Sequence, residues 1–430
     1  MSSEGELTST PIHKWSGKTK VQGFVLVLFQ LLVGFTPSEA YIVPFLIRVK
    51  HFTNEQILID IFPYGIYFQL LFTLLAAPAC HYFTHKAFIV MGTFSKLATF
   101  VIQYYAQPGS LLLMQLTQVT YGLGMTTNLV FASYIFVISS EQDYQVMTSY
   151  TQAASLTSYL VASELGQFLV DGGVSLVLLL RITLAFVALA CWMSFLLPGN
   201  VSGTKETLLV GLEQHSEFRG IGGLIRQTWQ GRSLRLLSFW WVFGTAGFMM
   251  ILNYGTNLFD KIDSTSNSYG HIVAASQGAG SLGALVGVKL APFAAQRGGL
   301  LYVIGTATSG LCCLIMGWSA TLWVAYPAYV TAIGINQLLL CLIYVQCAKC
   351  LSNREFILLF SFNAVAALLV QSTIQAVVEF LQLMIQDQFF VYGGYCLALA
   401  LVFWILCHDN YLKTGRVEIV PSTEERTPLI

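Results

Sequence analysis

The sequence predicts an all-α polytopic membrane protein of about twelve transmembrane helices in two six-helix halves. Three observations lead to this class. Hydrophobic residues make up 55% of the chain and charged ones 10%, with a mean hydropathy of +0.67, outside the range of a soluble globular domain. Runs of about 20 mostly apolar residues, the length that crosses a bilayer, recur between polar breaks. A single long internal polar segment, 199–235, separates six of these runs from the next six.

The runs lie near 21–47, 57–80, 87–105, 111–138, 145–170, 174–197, 236–259, 268–291, 299–318, 321–347, 355–383 and 388–407. This divides the chain into a polar N-terminus (1–20), an N-terminal half (21–198), a linker (199–235), a C-terminal half (236–407) and a tail (408–430). The opening MSSEGELTSTPIHKWSGKTK lacks the short apolar region and cleavage site of a signal peptide, so the first run reads as a retained helix. With both termini in the cytosol, Lys and Arg crowd the inner segments, and the outer loops hold only Arg48, Lys50 and Lys261, as the positive-inside rule requires. The sequon Asn200-Val201-Ser202 would then face the cytosol and stay unmodified. Two six-helix halves joined by a cytosolic linker are the layout of major-facilitator transporters, whose substrate site lies near mid-membrane between the halves.

Lys+Arg and Asp+Glu are equal at 21 each, so no basic excess points to nucleic acid. The nine Cys fall almost wholly in apolar runs; Cys347 and Cys350 form a CxxC with no second pair or nearby His, which reads as scattered membrane thiols. No metal-ligand cluster or nucleophile triad appears, so no cofactor, metal or enzyme activity is expected.

An ionisable group inside a spanning helix costs about 2.5–3.5 kcal/mol on insertion scales, so each needs a cavity, a partner or a helix end. Glu39, in GFTPSEAYIVPFL (34–46), lies between Pro37 and Pro44, where missing amide donors loosen the backbone and free carbonyls toward a cavity. The alternative is an interfacial acid facing loop water. Lys96, Glu164 and Arg181 are the other internal charges, and pairing among them would make them structural. Lys289 and Glu379 are close enough to helix ends to snorkel.

The fourth run carries the clearest polar stripe. Gln118, Tyr121, Met125 and Asn128 recur at spacings of three or four and share a face, either a substrate surface or an interhelical hydrogen-bond seam. Asn363, Gln371 and Gln375 share a face of the eleventh run, and the seventh adds Asn253, Tyr254 and Asn257. The small-residue stretch QGAGSLGALVG (277–287) reads as close helix packing, not a phosphate cradle, because no Lys-Ser/Thr follows it.

Taken in order, PSEAYIVPFL (37–46), KHFTNEQI (50–57), IFP (61–63), SYIF (133–136), DYQVMTSY (143–150), WWVFGTAGFMMILNY (240–254), Phe362-Asn363 and QFFVYGGY (388–395) give the chain its likeness. It resembles the reduced folate carrier and thiamine transporter family of major-facilitator vitamin carriers, and sits closer to the thiamine branch. The resemblance implies that Glu39 is the cavity-lining acid of the first helix and Tyr121 the substrate-facing Tyr of the fourth. It matches Asn253 and Gln371 to the thiamine carriers, where the folate carrier has Tyr and Lys. Positions of two folate-carrier arginines hold Asn128 and Ile333, and a cavity stripped of these cations would desolvate a folate's carboxylates without compensation. The chain also departs from the thiamine carriers, whose two helix-4 acids fall on Gln118 and Asn128 and whose helix-2 Trp falls on Gly65. At HYFTHKA (81–87) it has lost the acid and Arg that clasp the family's cytosolic gate.

The expected function is therefore multi-pass transport of a vitamin, thiamine or a related organic cation, by alternating access, with Glu39, Gln118, Tyr121, Met125, Asn128, Asn253 and Gln371 as substrate residues. A carrier of reduced folate or another vitamin, and a non-transporting receptor or scaffold on the same fold, are the alternatives. The ending EERTPLI places Glu425, Leu429 and Ile430 in an acidic dileucine pattern that sorting adaptors read, which sets endosomal or lysosomal membranes beside the plasma membrane as destinations.

Overall fold

Apolar runs of this length fold as helices because lipid offers no partners for backbone N–H and C=O groups, and a helix satisfies them within one segment. The computed structural model describes residues 17–53, 56–199, 228–229, 231–263, 269–351 and 355–411. In chain order its helices are α1 (Gly17–Gly34, resuming at Ile42–Arg48), α2 (Phe62–Tyr82), α3 (His85–Tyr105), α4 (Leu111–Ile138), α5 (Tyr144–Asp171) and α6 (Leu176–Leu196). They continue with α7 (Arg232–Ile262), α8 (His271–Arg297), α9 (Gly299–Trp318), α10 (Leu322–Cys350), α11 (Phe356–Phe380) and α12 (Ile385–Tyr411). Helices α8 and α9 are continuous except for a bend at Arg297, where φ −133° and ψ 37° leave the helical region. Each expected run coincides with one helix. Most of Gly199–Arg235, the sequon and the tail with Glu425, Leu429 and Ile430 lie outside the described residues.

Eleven segments among the described residues are long and apolar enough to span a membrane. Helix α5 has the length, 28 residues, but a lower apolar content. Its polar side chains are turned inward: Thr148, Ser149, Thr151, Ser158 and Ser163 are buried. Thr151 bonds back to its own helix, and Ser158 Oγ donates to Leu31 O of α1 at 2.5 Å. A helix that lipid alone would not hold is thus held by its neighbours α1 and α8.

Helices α1–α6 pack against one another, as do α7–α12, and the two bundles meet along α5–α8 and α2–α11. At mid-height Gln152 Nε2 donates to Gln337 Oε1 (3.1 Å), and the Thr157 and Ser281 hydroxyls lie 2.8 Å apart. At the end of the bundle near the α4–α5 turn, the Phe136 ring lies tilted against Phe356 and Phe360 of α11 with centroids 5.7 Å away in both cases, and Tyr144 also meets Phe356. These rings join one buried cluster with Trp241 and Tyr344. At the opposite end the bundles touch through the solvent-exposed pair Glu164–His271, 3.0 Å. Among the described residues the aromatic contacts between the bundles lie at the first of these ends.

The small-residue stretch of α8 packs as its composition implies. A Cβ on Gly283 would meet the Gly334 carbonyl of α10 at 2.4 Å, and one on Gly280 would meet Gln337 at 2.9 Å. All nine cysteines are free thiols, Cys347 and Cys350 included.

Candidate substrate site

The break in α1 builds the site. Helical geometry stops at Gly34 and resumes at Ile42, with a single 3₁₀ turn over Glu39–Tyr41 between. Pro37 cannot donate to the ladder, and Pro44 falls in the first turn of the resumed helix, where its missing N–H leaves no bond unmade. The interruption is pinned by several helices of its bundle. Lys96 of α3 donates to Val33 O at 3.1 Å, placing a cation on the carbonyl end of the interrupted helix. Ser38 N–H donates to Thr183 Oγ1 of α6 (3.1 Å), and Tyr41 OH to Gln167 Oε1 of α5 (2.7 Å). Gly166 of α5 admits the Pro37 carbonyl at a distance where a Cβ would stand 3.0 Å from it.

Within this frame Glu39 is held by two hydroxyls. Thr36 Oγ1 donates to Oε2 at 2.6 Å, and Tyr121 OH of α4 donates to Oε1 at 2.9 Å. Tyr159 of α5 lies near the carboxylate and near Tyr329 of α10. Among the described residues no cationic side chain forms an ion pair with Glu39. Charge-assisted hydrogen bonds fix the carboxylate's direction and leave its charge available to a cation.

The other stripe residues diverge. Gln118 is 8% exposed and turns toward α2, where a Cβ on Gly65 would stand 2.8 Å from its Oε1. The amide thus occupies room beside the position at which the resemblance expects a Trp. Met125 is half-buried, and Asn128 is exposed. Asn253 is exposed on α7, about 200° around the helix from Gly255, which packs on Tyr329. Gln371 is half-buried on α11. Among the described residues no hydrogen bond joins these groups to Glu39, so the contact seen at the site is Glu39–Tyr121. The eleventh-run stripe serves packing in part: Asn363 Nδ2 donates to Ser238 Oγ of α7 (3.3 Å), and Gln375 Oε1 accepts from Tyr392 of α12 (3.0 Å).

The expected pairing among Lys96, Glu164 and Arg181 does not form. Lys96 caps α1, Glu164 meets His271 of α8, and Arg181 Nε donates to Tyr104 OH (3.1 Å) while stacking over that ring. The reason is orientation: the three lie on different faces of α3, α5 and α6, and each finds a nearer partner. Thr36, Tyr159 and Tyr329 were not singled out in the sequence. Thr36 carries a signal, since a hydroxyl three residues before an acid in a Pro-broken segment can close a local bond. The two tyrosines carry none beyond being polar in apolar helices.

Outside the spans, Lys50 is buried and donates to the carbonyls of Tyr104 and Ala106 at the end of α3. Burial lowers its pKa from the usual 10.5. Lys86 donates to Phe195 O (2.8 Å) and Leu197 O (2.7 Å), tying α3 to α6 within one bundle. The HYFTHKA segment thus contributes a tie inside its own bundle, while the ring cluster around Phe136 joins the bundles at that end.

Residues 17–207 and 211–391 match the model of a family described as reduced folate carrier. The chain belongs to the reduced folate carrier family. Its relatives include the reduced folate transporter of Rattus norvegicus, 27% identical with 94% of this chain and 86% of the relative covered. The thiamine transporter 1 of Mus musculus is 26% identical, covering 93% and 92%. In structure the chain is similar to the E. coli fucose:proton symporter, with a TM-score of 0.67 at 15% identity over 90% of this chain and 98% of the symporter. A proton:xylose symporter of the major facilitator superfamily gives a TM-score of 0.67 at 13% identity, covering 89% and 94%. This member of the reduced folate carrier family is a multi-pass membrane transporter on the major-facilitator fold, and not an enzyme.

Proposed function

We propose that the protein carries thiamine or a related organic cation across its membrane by alternating access, the two bundles rocking about a site at the α1 break. The observation that carries this reading is Glu39: a carboxylate at the break of a spanning helix, aimed by Tyr121 and Thr36 and without an ion-pair partner among the described residues. A thiazolium cation with an aminopyrimidine ring asks for a negative charge, aromatic faces and amide-type hydrogen bonds. Glu39, Tyr121 and Tyr159 supply the first two, and Met125, Asn128, Asn253 and Gln371 extend the proposed substrate surface.

Relatives include both folate and thiamine carriers, so the choice rests on charge. Ile333, at a position where the folate carrier has Arg, is fully buried in α10 packing, and Asn128 and Gln371 are neutral. A dianionic folate beside Glu39 would find repulsion there. We place both termini, the linker and the Phe136 ring cluster on the cytosolic side from the Lys/Arg distribution, with the Glu164–His271 end outside. Membranes of the endosome or lysosome are reached if adaptors read Glu425, Leu429 and Ile430.

Uptake of labelled thiamine into vesicles containing the protein tests the reading. Saturable uptake that Glu39→Gln abolishes without loss of expression supports it. Uptake of reduced folate instead, or thiamine uptake unchanged in Glu39→Gln, overturns it, and no uptake of any vitamin favours a receptor.

A further inference from the structure

The α1 break is tied to α3 by Lys96, to α4 by Tyr121, to α5 by Tyr41 and to α6 by Ser38 N–H. One side of it is not accounted for. Between α1, α3 and α6 lies a small cavity lined by Ser38 and Gln103 and walled by Tyr41, Ile42, Phe45, Leu176 and Leu180. Ser38 is 7% exposed and Gln103 4%. Ser38 Oγ and Gln103 Oε1 are both buried without a hydrogen-bond partner among the described residues. A buried polar atom left unpaired is costly, and native interiors almost always satisfy it. Two such atoms facing one cavity, one from the break and one from α3, call for a shared guest.

The walls say which guest. The polar groups are the Ser38 hydroxyl, the Gln103 amide and the Tyr41 phenol, whose O–H is already given to Gln167, with no carboxylate, so the oxygen-rich charged shell that a divalent cation takes is missing. Four aliphatic or aromatic side chains make up most of the rest, which disfavours any concentrated charge. The space suits a guest of about the size of one water. A molecule that donates two hydrogens and needs little room fits both acceptors.

We propose that an ordered water is bound between Ser38 and Gln103, donating to Ser38 Oγ and to Gln103 Oε1 and fixing the break of α1 to the body of α3. Ser38 immediately precedes Glu39, so the water sets the register of the segment that presents the carboxylate. Gln103 acts through this water as a positioning residue. The site stands apart from the substrate reading, because it lies on the α3–α6 side of the break while Glu39 turns to α4.

Thermal unfolding of the purified protein, read for Ser38→Ala, Gln103→Met and the double variant, tests it without any substrate. A shared water makes the pair non-additive: each single change lowers the melting temperature by roughly 2 °C or more, and the double falls no further than the larger single. Hydrogen exchange supplies the local readout, since loss of the water speeds exchange over 35–42 in Gln103→Met while the middle of α6 is unchanged. A rise in melting temperature in either single variant would mean a dry cavity and overturn the proposal, as would additive losses or exchange that quickens uniformly. Wild-type stabilisation by NaCl over choline chloride that Gln103→Met abolishes would mean a sodium ion and also overturn it. If Gln103→Met does not accumulate, Ser38→Ala and Ser38→Gly, compared by exchange over 35–42, decide by the same criterion.

Discussion

The hydroxyl of Tyr121 on α4 donates to Glu39 Oε1 at 2.9 Å, so a phenol 82 residues away in sequence aims the acid of the α1 break. A hydrogen bond to a charged group is worth about 1.5–3 kcal/mol, which is tenfold or more in an equilibrium constant. Tyr121→Phe keeps the ring and removes the bond. The apparent KM for the transported cation is expected to rise tenfold or more, with expression unchanged. A KM within twofold of wild type would show that Tyr121 does not direct the carboxylate.

Phe136 is 2% exposed and touches Tyr144, Phe356 and Phe360, the rings that close one end of the bundle across both halves. Truncating a buried Phe costs about 3–5 kcal/mol in the packed state. Phe136→Ala removes that energy only from conformations in which this end is shut, so it opens the end as well as lowering stability. The native thiol of Cys347, fully buried in the same cluster, is the reporter. Its alkylation, followed by mass spectrometry, is expected to quicken severalfold in the variant, and an unchanged rate would detach the rings from closure.

The helices and the α1 break were legible because both are local: hydropathy sets a span, and Pro37 and Pro44 set an interruption within nine residues of Gly34 and Ile42. The helix-4 stripe was legible as a face and not as a function. At 3.6 residues per turn, Gln118 and Asn128 stand about 80° apart, enough to put the first against Gly65 of α2 and leave the second exposed. Glu164 and His271 are 107 residues apart, in different runs, and nothing local announces that α5 and α8 meet there. The partners of Lys96 and Arg181 were hidden for a related reason: one is a carbonyl freed by a helix break, the other a tyrosine ring.

The Glu164–His271 pair is a polar contact between bundles at the end opposite the rings, and its side chains are 42% and 55% exposed. A pair this exposed contributes up to about 1 kcal/mol and is screened by salt. His271→Ala is expected to shift the melting temperature by less than about 3 °C. It should also remove the part of the salt dependence of transport that wild type shows. A larger loss of stability would mean that the pair is part of the packed core.

Lys50 gives a pH dependence with a definite sign. Burial lowers its pKa in the folded protein below 10.5, so between the two values the unfolded chain binds more protons than the folded one. Stability therefore rises as pH climbs through the lowered value toward about 10.5, and the cost of the buried charge is fully present below that window. Lys50→Met removes this rise, together with the bonds to Tyr104 O and Ala106 O. Melting curves across the alkaline range that run parallel for the two proteins would refute the assignment.

Gly283 and Gly394 separate packing from composition. A Cβ on Gly283 would meet the Gly334 carbonyl at 2.4 Å, a backbone atom that can move only if α8 and α10 part, whereas one on Gly394 meets nothing within 4 Å. Overpacking of this kind costs about 1–3 kcal/mol, and a helical Gly→Ala change in open space gains about 0.5–1 kcal/mol from propensity. Gly283→Ala is therefore expected to lower the melting temperature by several degrees and Gly394→Ala to leave it level or raise it. Because α8 also lines the seam with α5, the Gly283 change should slow transport as well, by altering the surface on which the bundles rock. Equal effects of the two substitutions would mean that α8 and α10 are not in contact at Gly283, and the small-residue stretch would lose its packing role.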